Sequence, residues 1–208
     1  MKFPARAALG GVAALALLTA GAVVARTQAT QVPAEVRAGA YLLDSEHGKI
    51  TWSVNHLGFS TYYGQFVNVQ ARLNLDPTNP SASTLTATIP LTDVAPNSDG
   101  LKAHLQTADF FDTANHPIAT FVSRSVTINS DSANEATVVG DLTLRGVTRP
   151  VTMEVEFNQA GPSMGNSYKT GFDGEATIKR SDFGINYAIP AVSDEVKLHI
   201  EGEFVLQQ

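Results

Sequence analysis

No cysteine occurs anywhere in the 208 residues. That excludes disulfides as the stabiliser of the fold, and it excludes a lipid-modified cysteine as a membrane tether. One tryptophan and five tyrosines are too few to build the two aromatic belts of a barrel that spans a bilayer. Basic residues are also scarce, 14 Lys and Arg against 20 Asp and Glu for a net charge of −6, with no basic cluster and no interleaving of basic and aromatic residues. Nucleic-acid binding is therefore excluded, and no polybasic stretch offers docking on anionic lipid. Catalytic signatures are scarce as well. The chain has no Ser-x-x-Lys pair and no glycine-rich phosphate loop. His47, His56, His104, His116 and His199 form no His-x-His or His-Glu-x-x-His pattern, so no metal site and no cofactor are expected, and the protein is not read as an enzyme.

The N-terminus carries the first positive signal. Lys2 and Arg6 precede an uncharged apolar run from Ala7 to Ala25 that ends in small residues, the layout of a secretory signal peptide over residues 1–25. Cleavage after Ala22 and after Ala25 fit equally well. Its length of 19 residues also comes close to the roughly 20 that span a bilayer, so an uncleaved anchor facing the periplasm is the competing reading. Loss of the leader with Lys2 and Arg6 would leave twelve basic groups and a net charge near −8. Residues 26–40 are polar, carry Pro33 and show no clear period, which reads as a linker or disordered start. Residues 41–208 are long enough for one domain with its own core.

Within that domain the dominant period is two. Ile50, Trp52 and Val54 alternate with Thr51, Ser53 and Asn55, and the pattern recurs along 67–75, 85–91, 118–129, 137–144, 151–159 and 168–179. Asp76-Pro77-Thr78-Asn79-Pro80 breaks the first two of these runs into a hairpin, since two prolines remove ladder donors and fix φ. The final strand is the clearest, with Val196, Leu198, Ile200, Gly202, Phe204 and Leu206 on one face and Glu195, Lys197, His199, Glu201 and Glu203 on the other. A slip of one residue would bury five ionisable groups, so its register is fixed. About eight strands result, which defines an all-β, antiparallel, lipocalin-like barrel. Ser98–Phe111 interrupts it, because Leu101, Leu105, Ala108 and Phe111 recur at helical spacing. Such an amphipathic insert reads as a lid over an opening.

Four segments carry a more specific signal when taken together. They are His56-Leu57-Gly58-Phe59-Ser60 followed by Tyr63-Gly64-Gln65-Phe66; His104-Leu105 through Ala108-Asp109-Phe110-Phe111-Asp112 to His116-Pro117 and Phe121; Gly140-Asp141-Leu142-Thr143-Leu144-Arg145-Gly146-Val147-Thr148-Arg149-Pro150-Val151; and Arg180-Ser181-Asp182-Phe183-Gly184. In combination they resemble the YceI-like family of exported lipocalin-type proteins, over Tyr41 to Phe204. The resemblance implies an antiparallel barrel with an elongated apolar cavity that holds a long-chain amphiphile in the periplasm, such as a polyisoprenoid, a quinone-like compound or a fatty-acid derivative. It brings no shared catalytic set, only pocket positions.

The expected cavity lining is Trp52, Val54, Phe66, Phe121, Leu142, Met153, Val155 and Phe172 from the strands, with Leu101, Leu105 and Phe111 from the helix. His56, Arg180 and Asp182 are the head-group candidates. For Arg180 to Gly184, a turn stabilised by Asp182 accepting backbone hydrogen bonds is the other reading. Small inward residues, Ala71, Ala87, Gly140, Ala176 and Gly202, leave room for a cavity, whereas the same apolar set could instead fill the barrel as a dry core. Two further readings stand beside the carrier: an outer-membrane barrel with its apolar face outward, and a non-catalytic stress factor with a filled barrel. An exposed strand edge or the apolar rim of the helix offers a surface for a homodimer.

Overall fold

A computed structural model of the chain describes residues 28–207. The expected leader over residues 1–25 lies outside the described residues. The strands are β1 (Gly39–Leu43), β2 (Lys49–His56), β3 (Ser60–Phe66), β4 (Gln70–Leu75), β5 (Thr84–Pro90), β6 (Val94–Ala95), β7 (Ile118–Ile128), β8 (Glu135–Leu144), β9 (Val147–Pro162), β10 (Tyr168–Lys179) and β11 (Glu195–Leu206), with one helix, α1 (Asp99–Leu105), between β6 and β7.

All pairings are antiparallel. They run β1-β4-β5-β7-β8-β9-β10-β11, and β11 returns to β1 through Tyr41↔Leu206 and Leu43↔Phe204, which closes a ring of eight. The other half of β11 pairs with β2, from Lys197↔Ser53 to Glu201↔Lys49. β1 and β2 thus share one edge of β11, and β2 continues to β3 and β6. Closure removes the exposed edges that an open sheet of this length would present. The expected barrel of about eight strands is what the chain forms.

Alternation decides which side chains enter the barrel. In β11, Gly202 and Phe204 are buried while Glu195, Lys197 and His199 are exposed. Outward positions carry threonine, glutamate and lysine along β9 and β10 as well. A bilayer-spanning barrel needs an apolar band on its outside, so this polarity is the inverse of the outer-membrane alternative. Extra residues at Arg124 of β7 and Asn158 of β9 bend these strands into the curve of the barrel.

The two ends differ. At one, β5, β8 and β10 lead into a packed cluster of Leu91, Leu144, Phe183 and Ile185. Beside it, α1 seats Leu105 against Trp52 and Val94. At the other, Val36, Tyr41, Phe157, Ala160, Tyr168 and Phe204 form a second cluster. Burial pushes the Tyr41 phenol up to about 12, with the neighbouring Tyr168 adding to it, and its hydroxyl donates to the Arg37 carbonyl at 2.6 Å.

Two local expectations are corrected. The helix spans Asp99–Leu105 rather than the whole of Ser98–Phe111. Ser98 caps its start by accepting from the Leu101 amide, but the Thr107 hydroxyl donates to the His104 carbonyl at 2.8 Å and ends it, so Ala108 lies exposed in a turn. The stretch expected as linker is laid against the barrel from Ala29 onward, with Val36 buried, a 3-10 turn at Pro33–Glu35, and Thr30 bridged to Ala160.

Candidate functional site

The barrel encloses an apolar cavity of about 250 Å³. Its wall is built from the inward positions of successive strands: Ala71, Leu73 and Leu75 of β4, Leu85 and Ala87 of β5, Phe121 of β7, Leu142 of β8, Met153 and Val155 of β9, Phe172 and Ala176 of β10, and Leu198 and Ile200 of β11. These side chains point into the barrel yet are only half-buried, because they face open space instead of one another. The cavity reaches the surface among the Asp76–Pro80 turn, the Ala133–Glu135 turn, and Pro33 and Val36. Asp76 is committed to its own turn, accepting from the Thr78 hydroxyl at 2.7 Å and from the Asn79 amide at 2.9 Å, and these bonds hold its carboxyl below the usual range.

Of the eleven expected lining residues, Phe121, Leu142, Met153, Val155 and Phe172 stand on this wall. The other six do not. Trp52, Val54, Phe66, Leu101, Leu105 and Phe111 pack together at the closed end, where the Phe66 and Phe111 rings meet edge to face at 5.5 Å. Alternation identifies the inward face but not the height along the barrel axis, and α1 sits at the end opposite the mouth. The helix is a plug there and not a lid.

The small inward residues divide in the same way. A Cβ on Gly64 would lie 2.2 Å from the Trp52 ring, and one on Gly140 would lie 2.3 Å from Phe121. Those glycines admit aromatic rings and so fill space. Ala71, Ala87, Ala176 and Gly202 line the cavity.

None of the three head-group candidates reaches the cavity wall. His56 is exposed at the end of β2, and Asp182 is exposed on a 3-10 turn spanning Arg180–Phe183. Arg180 is buried at 5 % exposure and makes four hydrogen bonds. Its Nε donates to the Ser193 carbonyl at 2.9 Å, Nη1 to Tyr187 at 2.7 Å and Ile185 at 3.3 Å, and Nη2 to Val192 at 2.9 Å. Burial pushes the guanidinium down and the nearby Asp194 carboxylate opposes this. The carboxylate that organises the turn is Asp194 and not Asp182: it accepts from the Ser181 amide at 2.9 Å and hydroxyl at 2.7 Å. Burial raises the Asp194 carboxyl, but these bonds and the Arg180 charge outweigh it and leave it below its ordinary range.

A second concavity, of about 480 Å³ and polar, lies outside the barrel over β9, β10 and β11. Beside it Asp44, His47 and Glu203 converge. The cation among them is Lys169, whose ammonium donates to Asp44 and Glu203 at 2.8 Å each. Those carboxylates raise Lys169, while the hydrogen bonds from Lys169 and His47 pull Asp44 down to about 2.

Sequence reasoning missed Pro33 and Val36 as wall residues, because their segment is polar around them and has no period. Leu73, Leu85, Leu198 and Ile200 carried the alternation signal and were legible as inward, though they were not singled out as lining.

A closed eight-stranded antiparallel barrel with an apolar interior open at one end is the architecture of a small-ligand-binding barrel. The chain belongs to the YceI-like family, whose domain model matches residues 41–204. It is 38 % identical over 170 residues to protein YceI of Escherichia coli, which covers 81 % of this chain and 87 % of that protein. A UPF0312 protein of Pseudomonas aeruginosa is 37 % identical over 175 residues, covering 83 % of this chain and 90 % of the relative. Among solved structures, Burkholderia cenocepacia BcnA superposes with a TM-score of 0.69 at 25 % identity, covering 79 % of this chain and 99 % of that one. A polyisoprenoid binding domain from Saccharophagus degradans superposes at 0.61 with 12 % identity over 82 % of this chain, a likeness of fold.

Proposed function

We propose that the protein is a periplasmic carrier that holds a long-chain apolar amphiphile, a polyisoprenoid, quinone-like compound or fatty-acid derivative, in the barrel cavity. The observation that carries this reading is the cavity wall itself: apolar side chains from nine strands face open space inside a closed barrel. An apolar void of this kind does not hold water well, since water needs two to four polar partners, whereas an apolar chain gains about 0.8 kcal/mol per methylene buried. The structural likeness to a domain described as polyisoprenoid binding is consistent with that class of ligand. Export is supported by the leader-like N-terminal sequence.

Size limits how the ligand sits. The volume of about 250 Å³ exceeds the benzene-sized apolar cavities of about 150 Å³ but falls below typical ligand pockets of about 300–1,000 Å³. It takes one end of a long chain, with the remainder and the head group in the mouth. The cation along the lining, Lys49, is paired with Glu201, and the acidic side chains near the mouth, Asp76 and Glu135, disfavour an anionic head.

Native mass spectrometry of the protein purified from its host periplasm, followed by organic extraction, tests the reading. One long-chain amphiphile per chain is expected. Protein that is empty, and that takes up neither added isoprenoid alcohols nor fatty amides, would leave a structural barrel as the answer.

A further inference from the structure

Resting on the reading of the cavity as the ligand site, we propose that residues 28–38 are its gate, a strap whose release from the barrel opens the path by which ligand enters and leaves. Pro33 and Val36 of this strap form part of the cavity wall at the mouth. The rest of the mouth comes from the turns that join β4 to β5 and β7 to β8, which cannot swing without breaking ladders on both sides. Among the described residues, the strap is the part of the mouth that lies outside the closed ring of strands.

Its backbone meets the sheet at an isolated bridge near its start and at β1 where it ends. Near the start, Thr30 and Ala160 exchange two backbone hydrogen bonds, of 2.7 and 2.9 Å. Near the finish, the Arg37 guanidinium lies 4.4 Å over the Tyr168 ring and the Tyr41 hydroxyl holds the Arg37 carbonyl. Between them the 3-10 turn at Pro33–Glu35 is braced locally, by Thr30 Oγ1 donating to Glu35 Oε2 at 2.6 Å and the Val36 amide to the Pro33 carbonyl at 3.2 Å. Those two bonds move with the strap and do not resist its lifting. What holds the middle down is Val36, 6 % exposed against Phe157 and Phe204. A segment that joins the sheet through a single isolated bridge belongs to the low-stability end of a fold whose eight barrel strands are laddered on both edges.

Gly161 shows how closely the strap is seated. A Cβ there would stand 2.7 Å from the Ala29 Cα and 2.9 Å from its Cβ, so any side chain must displace the strap. The site can therefore be perturbed in opposite directions without touching the interior wall. The chain has no cysteine, so Thr30→Cys/Ala160→Cys introduces one unique pair. Directly opposed residues in a hydrogen-bonded antiparallel pair have Cα atoms about 5.5 Å apart, within the span of a disulfide. Gly161→Val does the reverse and lifts the strap.

Uptake and release of N-phenyl-1-naphthylamine, a neutral apolar dye that brightens when buried, are followed by stopped flow. The oxidised cysteine pair is expected to slow both rates about tenfold with Kd held within about twofold, and reductant restores them. Gly161→Val is expected to speed both about fivefold. Dye uptake at one rate in locked, reduced and Gly161→Val proteins overturns the gate while leaving the cavity reading intact. A locked form whose Kd shifts through release alone makes the strap a fixed wall and also overturns it. Wild-type protein that takes up no dye overturns the cavity reading, and the gate with it.

Discussion

Arg180 separates a ligand contact from a structural clamp, and the two roles predict different losses. The side chain is 5 % exposed and donates to four carbonyls, those of Ile185, Tyr187, Val192 and Ser193, which lie on the loop that closes the end of the barrel opposite the mouth. No other single residue type offers this planar fork of donors. Arg180→Met leaves the four carbonyls without it. Each stranded acceptor costs about 1–3 kcal/mol where water cannot replace the donor, and partial hydration of so exposed a loop brings the total to about 3–5 kcal/mol. Arg180→Lys keeps the charge but reaches fewer carbonyls, and we expect a loss of about 2 kcal/mol. Against a domain stability of about 5–15 kcal/mol, the methionine variant unfolds at much lower urea while the lysine variant stays folded and measurable. Urea unfolding followed by Trp52, the single tryptophan, gives both values. Dye binding to the folded lysine variant is expected to match wild type, since Arg180 does not touch the cavity wall. A lysine variant with wild-type stability and weakened dye binding would refute this reasoning and return Arg180 to the head group.

Filling the cavity is the complementary perturbation: Ala87→Phe projects a ring into the space and is expected to weaken dye binding about tenfold, with a stability change of about 1–3 kcal/mol, and undiminished binding would place the ligand elsewhere. Gly140→Ala sets a Cβ 2.3 Å from Phe121 Cζ and 2.6 Å from the Val122 carbonyl oxygen, so the urea midpoint should fall by the equivalent of about 1–3 kcal/mol. Asp44, held down to about 2 by Lys169 and His47, has a native carboxyl more acidic than its unfolded one; its contribution is present above about pH 4 and is lost as pH falls toward 2. Lys169→Met should therefore flatten the stability profile between those pH values by an amount on the order of 1 kcal/mol after solvent screening, as acid titration of the urea midpoint would show. Glu135, Glu156, Asp173 and Glu201 stand opposite one another in turn across β8 to β11, so Glu156→Lys is expected to stabilise by about 0.2–1 kcal/mol at low salt and to lose that gain near 1 M salt.

Much of the barrel was legible because its information is local. The period of two survives in every long strand, and a wrong register in β11 would bury five ionisable groups, so inward and outward faces follow from the residues alone. The break at Pro77 and Pro80 is equally local, needing only the chemistry of two side chains. The end of α1 was less so: Leu101, Leu105, Ala108 and Phe111 keep helical spacing, and the competing signal was a single hydroxyl, that of Thr107, which the apolar period overrode.

Position along the barrel axis has no such local signature. Trp52 and Met153 are both inward and apolar in strands of the same type, yet one packs at the closed end and the other faces the cavity. What separates them is what stands across the barrel. Trp52 has Gly64 directly opposite on β3, where its ring occupies the volume that a side chain would take, and Leu105 of α1 packs on the same cluster. Met153 is opposed on β10 by Ala176, another wall residue, and the space in front of both stays open. At these two heights the ring set against glycine stands in the filled layer and the thioether set against alanine in the open one, while Phe172, opposite Gly202, also faces the cavity. Such contrasts are written in pairs of strands and become readable once registers are known. The same holds at the closed end: Phe183 and Ile185 join the packed cluster while Arg180 holds the following loop through four carbonyls up to thirteen residues away.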